Sequence, residues 1–179
     1  SKRMVIVAPT GVAAINAGGV TIHSFFQLPF GPQIPDQPQS FQSRAGDRIQ
    51  RFSKLKIDII KSIDLLVIDE VSMVRADLLD GINAVLQRFR NRSKPFGGVQ
   101  LLMIGDLQQL APIVKDDEWS ILKNYYDTMF FFSSRALRQT DYISIELKHI
   151  FRQSDKKFIE LLNKVRENKL DATAVSMLN

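Results

Sequence analysis

Six consecutive residues, Leu65-Leu66-Val67-Ile68-Asp69-Glu70, restrict what this 179-residue chain can fold into more than any others. Four apolar side chains run without a break into two carboxylates. A short apolar run bounded by polar residues predicts a strand buried on both faces, the environment of a strand in a parallel sheet. Open parallel sheets bind ligands just beyond the carboxyl ends of their strands, where Asp69 and Glu70 would stand. Two adjacent acids there suit a magnesium site and a water-activating base. They also suit a strand end that merely opens a turn. A second apolar run, Val99-Gln100-Leu101-Leu102-Met103-Ile104, repeats the pattern and is followed by Gly105-Asp106 and Gln108-Gln109.

Strand and helix signals alternate along the rest of the chain. Met4–Ala8 predicts a strand, Pro9-Thr10-Gly11 a break, and Val12–Ala17 a short helix stopped by Gly18-Gly19. Thr10 is placed to cap that helix, and a capped helix N-terminus can also hold a phosphate. His23, within Val20–Phe26, has no acid cluster beside it. It reads as a satisfied structural histidine or as a side chain that stacks on or hydrogen-bonds to a nucleic-acid strand.

Pro29, Pro32, Pro35 and Pro38 recur every third residue within an insertion at about residues 27–47, the period of a polyproline II helix. From Arg44 to Lys61, cations alternate with apolar residues at helical spacing, which predicts one or two amphipathic helices whose basic face is solvated or meets phosphates. Asp77–Arg90 is a strongly periodic helix with Leu78, Leu79, Ile82, Val85, Leu86 and Phe89 on one stripe. Gly81 inside it costs about 1 kcal/mol against alanine and so marks a close packing. Arg88, Arg90, Arg92 and Lys94 gather at its end, partly to complement the helix dipole, the excess being available to DNA phosphates. Farther on come a helix over Asp116–Tyr126 with Trp119 and Leu122 inward, and a buried strand at Met129–Phe132. A helical turn at Ser134–Gln139, a strand at Tyr142–Leu147, a helix capped by Ser154 and the start of another over 171–179 complete the chain. Alternating buried strands and helices mean an α/β domain with a mainly parallel sheet.

Composition excludes several classes. The chain has no cysteine, so it has neither a disulfide framework nor a thiolate metal site. Its longest apolar runs are far too short to span a bilayer, and no membrane partner is expected. The net charge of +5 favours a polyanionic partner.

Five segments in order carry a family resemblance. They are Ala8-Pro9-Thr10-Gly11-Val12-Ala13-Ala14, Gly19-Val20-Thr21-Ile22-His23-Ser24-Phe25, Glu70-Val71-Ser72-Met73 through Arg90, Gly105-Asp106-Leu107-Gln108-Gln109-Leu110-Ala111-Pro112, and Leu147 to Gln153 with Phe151-Arg152-Gln153. Any one is weak, but together they span nearly the whole chain. The chain resembles the first motor domain of Pif-type DNA helicases, relatives of RecD within superfamily one.

The resemblance implies a RecA-like sheet of the P-loop NTPase type, with helices on both faces. It implies ATP and Mg2+ as cofactors, and single-stranded DNA and forked duplex DNA as partners, with translocation 5′ to 3′. By residue it implies that Asp69 holds magnesium and Glu70, beside it, activates the attacking water. Gln109 is implied to sense the γ-phosphate, and Arg152 to stabilise charge on the transferring phosphoryl group. Pro9, Thr10, His23 and Ser24 are implied to line the single-strand path, the proline-rich insertion to be a wedge that parts the duplex, and residues 171–179 to be a connector helix.

One departure from the family pattern is clear. The P-loop, G-x-x-x-x-G-K-[ST], occurs nowhere in the 179 residues. The chain is therefore expected to be a partial motor domain lacking its P-loop strand. Its partners would include the missing P-loop segment and the second motor domain of the same polypeptide. Alone it is expected to bind ATP weakly or not at all, to unwind nothing, and to have a gapped, adhesive sheet. The expected setting is cytoplasmic in a bacterium, nuclear or mitochondrial in a eukaryote. Two other readings stand beside this one. A non-catalytic single-stranded nucleic-acid-binding module needs none of Asp69, Glu70, Gln109 or Arg152. An SH3-type ligand built on Pro29–Pro38 leaves the strand-end acids unexplained.

Overall fold

A computed structural model describes residues 2–35, 52–147, 155–169, 171 and 175–176. The chain divides into two compact units, Ser1–Asp141 and Tyr142–Asn179. In the first unit, four parallel strands form one sheet: β1 (Met4–Ala8), β2 (Val20–Thr21), β3 (Leu65–Ile68) and β4 (Gln100–Met103), in spatial order β2-β1-β3-β4. Val7 pairs with both Val20 and Ile68, and Ile68 pairs with Met103, so all four strands end along one edge.

The helices of this unit are α1 (Gly11–Asn16), α2 (Ile22–Phe26), α3 (Lys54–Ser62), α4 (Ala76–Phe89) and α5 (Asp116–Leu122). The β1-to-β2 connection runs one way across the sheet and the β3-to-β4 connection the other. Right-handed crossovers then put α1 and α4 on opposite faces. Burial agrees with this. Val7, Leu66 and Ile68 share one core cluster with buried residues of α2, α3 and α4. Ala8 and Val67, which point the other way by strand alternation, are buried outside that cluster, as is Ala14 of α1.

Helix α4 fills the expected stripe. Leu79, Ile82 and Leu86 are fully buried, each contributing about 1.5–3 kcal/mol by leaving water. Gly81 allows the close packing its position predicts, since a Cβ there would lie 3.3 Å from Leu28 Cδ1. Arg90 is not a spare cation. Its guanidinium donates to the carbonyls of Ile60 and Lys61 and so closes the C-terminus of α3.

Several expectations change. The sheet is continuous rather than gapped, with β4 at its rim among the described strands. The run 99–104 is not buried on both faces, because Leu102 and Ile104 are each 47% exposed. Met129–Phe132 forms no sheet strand. Phe130 makes an isolated antiparallel bridge to Arg75, the Ala76 N–H donates to the Met129 carbonyl, and a 3-10 turn follows at Phe131–Ser133. Met129, Phe130 and Phe131 are half-buried and Phe132 is 41% exposed, and the segment packs against the start of α4 instead of a sheet edge. The turn expected at Ser134–Gln139 is present as a 3-10 turn at Leu137–Gln139.

In the second unit, Tyr142–Leu147 alternates like a strand but pairs with none among the described residues, and Ile143 is 89% exposed. Alternation signals a readiness to pair and cannot supply a partner. Helix α6 (Lys156–Arg166) is capped by Asp155, whose carboxylate accepts from the Lys157 and Phe158 N–H groups, in place of the predicted Ser154. Ser154, Arg152, Pro38, Arg44, Arg48 and Arg51 lie outside the described residues, as does most of 171–179.

Candidate functional site

Seven of the eight site residues expected from the sequence follow the carboxyl edge of the sheet; the eighth, Arg152, lies outside the described residues. Their order along that edge follows the strand order. His23 and Ser24 come after β2, Pro9 and Thr10 after β1, Asp69 and Glu70 after β3, and Gln109 after β4. Adjacent strands are about 4.8 Å apart. The chain leaves β1 and its neighbour β3 toward opposite faces, which makes the gap between their ends the topological switch point of the sheet. Open α/β sheets bind ligands at such a switch point, and here Thr10 and Asp69 flank it.

At the end of β3 the Asp69 N–H donates to the Val7 carbonyl at 2.9 Å and extends the ladder by one residue. Glu70 then turns the chain through a left-handed conformation, φ +50°, that a residue with a side chain rarely adopts. That turn brings the Val71 N–H onto the Ile104 carbonyl at 2.8 Å and ties the exit of β3 to that of β4. Gly105 fits because it has no side chain, since a Cβ would lie 3.0 Å from the Ser72 and Val71 nitrogens. The buried Ser72 hydroxyl beneath this turn has no hydrogen-bond partner among the described residues. Both carboxylates are half-buried.

At the end of β4, Asp106 accepts from the Gln108 N–H and from Gln109 Nε2, each at 3.0 Å. An Asx-type turn thus presents the exposed Gln109 amide. At the end of β1 the Thr10 hydroxyl accepts from the Ala13 N–H at 3.2 Å and caps α1, as expected. At the end of β2, Thr21 caps α2 through the Ser24 N–H at 3.3 Å and leaves the Ser24 side chain exposed.

The His23 ring stacks on that of Phe30, with centroids 4.7 Å apart and planes 21° apart. Burial, then the nearby Arg75 charge, holds its imidazole below the usual histidine range, and Asp77 opposes this in part. His23 is therefore half-buried, with one face of its ring resting on Phe30.

No sequence pattern signals the network beside it. Arg75 donates to both oxygens of Asp77, at 2.9 and 2.6 Å, to Glu118 Oε2 at 3.1 Å and to the Gly31 carbonyl at 2.9 Å. Asp77 also accepts the Gln33 N–H at 2.8 Å. Burial works against the Arg75 charge, but the Asp77 and Glu118 partners outweigh it and hold the guanidinium more firmly protonated than usual. An Arg-x-Asp pair at a helix start reads as solvated charge, so nothing local marked it. A second hub, Asp80, accepts from Tyr126 Oη and the Ala136 N–H, both at 2.9 Å, and from Ser134 Oγ.

Mg2+ typically binds through one or two carboxylates, keeping waters and substrate phosphates as its other ligands. The oxygen donors of Asp69 and Glu70 fit that requirement. Among the described residues no group of three or more histidines or acids forms a closed protein cage.

A family model described as PIF1-like helicase matches residues 1–176. The chain is similar to the ATP-dependent DNA helicase PIF1 of Saccharomyces cerevisiae, 35% identical over 171 residues, covering 95% of this chain and 18% of that protein. It is similar to the human ATP-dependent DNA helicase PIF1, 36% identical over 162 residues, covering 90% of this chain and 23% of that protein. Among solved structures, the Pif1 helicase from Bacteroides in complex with ADP-AlF3 and single-stranded DNA is 42% identical with a TM-score of 0.89, covering 100% of this chain and 40% of that one. The chain thus spans about a fifth of the length of these curated relatives.

Proposed function

Because the chain belongs to the PIF1-like helicase family, we propose that it forms part of the first motor domain of an ATP-dependent DNA helicase. That helicase moves 5′ to 3′ on single-stranded DNA and parts forked duplexes. The observation that supports this best is the ordering along one sheet edge. The residues assigned to DNA follow β2 and β1, those assigned to nucleotide follow β3 and β4, and the switch point lies between them.

In this reading Asp69 and Glu70 would hold Mg2+, which would supply charge neutralisation to the nucleotide phosphates. Glu70 accepts the proton of the attacking water as its oxygen bonds to the γ-phosphorus and the bond to ADP breaks. Gln109 faces the γ-phosphate from the neighbouring strand end. Arg152 stabilises the phosphoryl charge, a role that rests on the Phe151-Arg152-Gln153 match alone. Pro9, Thr10, His23 and Ser24 line the DNA path. The P-loop that cradles the remaining phosphates is assigned to another segment of the same polypeptide, and the second motor domain to a further one. The 179-residue piece alone is expected to be inactive.

Substituting Glu70→Gln in the full-length protein tests this. DNA-stimulated ATP turnover is expected to fall by about 10²- to 10⁴-fold, the usual contribution of a general base, with single-stranded DNA affinity retained. Unchanged turnover would contradict the catalytic reading and favour a nucleic-acid-binding module without a motor.

A further inference from the structure

Phe30 is 89% exposed, yet the turn that carries it is anchored to buried side chains. One face of its ring rests on His23. The backbone on either side of it is held by a single buried side chain, because Gln33 Nε2 donates to the Pro29 carbonyl at 2.9 Å and to the Gly31 carbonyl at 3.1 Å. Gln33 is 4% exposed, and its own N–H is fixed by Asp77, which is 1% exposed. Arg75 grips the Gly31 carbonyl from the other side. Gly31 takes φ +97°, with nothing within 4 Å of where a Cβ would be, so it is the turn that requires glycine here.

A buried network of charged and polar groups thus supports a turn whose outward product is one bare aromatic face. Leaving a phenylalanine in water gains nothing for folding. The arrangement is that of a stacking surface, rigid on one side and vacant on the other, in a chain of net charge +5. Single-stranded nucleic acids are bound in this way, with a basic surface tracking the phosphates and aromatic rings taking the bases.

We propose that the open face of Phe30, backed by His23 and held by the Pro29–Gln33 turn, is a stacking platform for one base of single-stranded DNA. This rests on the DNA-translocating reading above and adds to it a contact made by the base rather than the backbone. Stacking of this kind tolerates any base, which suits a strand that slides past.

The test measures binding of the full-length protein to a labelled oligothymidylate and to an abasic strand of the same length. Wild type is compared with Phe30→Ala and Phe30→Trp. Phe30→Ala is expected to weaken binding to the oligothymidylate about tenfold and to leave binding to the abasic strand unchanged. Phe30→Trp should retain affinity, and the added indole emission should be quenched by the oligothymidylate but not by the abasic strand. Equal affinity of wild type and Phe30→Ala for the oligothymidylate would overturn the platform while leaving the helicase reading intact. So would an equal loss by Phe30→Ala on both strands. Failure of wild type to bind either strand would overturn both.

Discussion

Asp77 is almost fully buried and ionic, and its side chain meets Arg75 and the Gln33 amide. Removing only one member of such a pair leaves the other as an uncompensated charge in a poor solvent, a loss of about 3–5 kcal/mol. Replacing both with apolar side chains of similar volume removes the charge altogether and is often far less costly. Arg75→Ala is therefore expected to destabilise the Pro29–Gln33 turn by about 3 kcal/mol, and the double change Arg75→Met with Asp77→Leu by less. Thermal unfolding of the single and double variants measures both. A single variant no worse than the double would contradict the pairing. The contacts from Asp77 and Arg75 to Gln33 and Gly31 join residues 44 apart in the chain, which is why the sequence showed neither the buried network nor the exposed Phe30 it supports. The Thr10 cap and the carboxylates leaving β3 were legible locally, whereas the cap of α6 falls on Asp155 rather than Ser154.

At the scale of elements, the turn between α1 and β2 has the closest backbone approach of any described glycine. A Cβ on Gly19 would lie 2.3 Å from the Ile6 carbonyl oxygen, a backbone atom of β1 that cannot move without breaking the ladder. Gly11, at the start of α1, has nothing within 4 Å. Gly19→Ala is expected to cost about 3 kcal/mol through overpacking, whereas Gly11→Ala is expected to be neutral or stabilising by a few tenths. Thermal melts of the two variants separate these outcomes, and equal melting would contradict the close approach. The periodic elements, α4 and the parallel strands, were legible because their apolar spacing and their burial coincide. Met129–Phe132 and Tyr142–Leu147 were not, because apolar patterning reports a tendency to be covered and leaves the partner unspecified. In the first case the partner is the start of α4; in the second none is present among the described residues.

At the scale of the whole molecule, function lies in adjacency. The Val71 N–H bond to the Ile104 carbonyl links the exits of β3 and β4, and Asp69 is bonded to Val7 of β1. A change at the carboxylate turn therefore reaches Gln109 on one side and the Pro9-Thr10 segment on the other through main-chain hydrogen bonds. If nucleotide bound at this edge changes the affinity for DNA, linkage requires DNA to change the affinity for nucleotide by the same factor. The direct measurement is the single-stranded DNA affinity of the full-length protein with and without a non-hydrolysable ATP analogue. The predicted result is a difference of about 5- to 150-fold between the two states, reduced toward unity by Gln109→Ala. Equal affinity in both states of the wild-type protein would contradict the account.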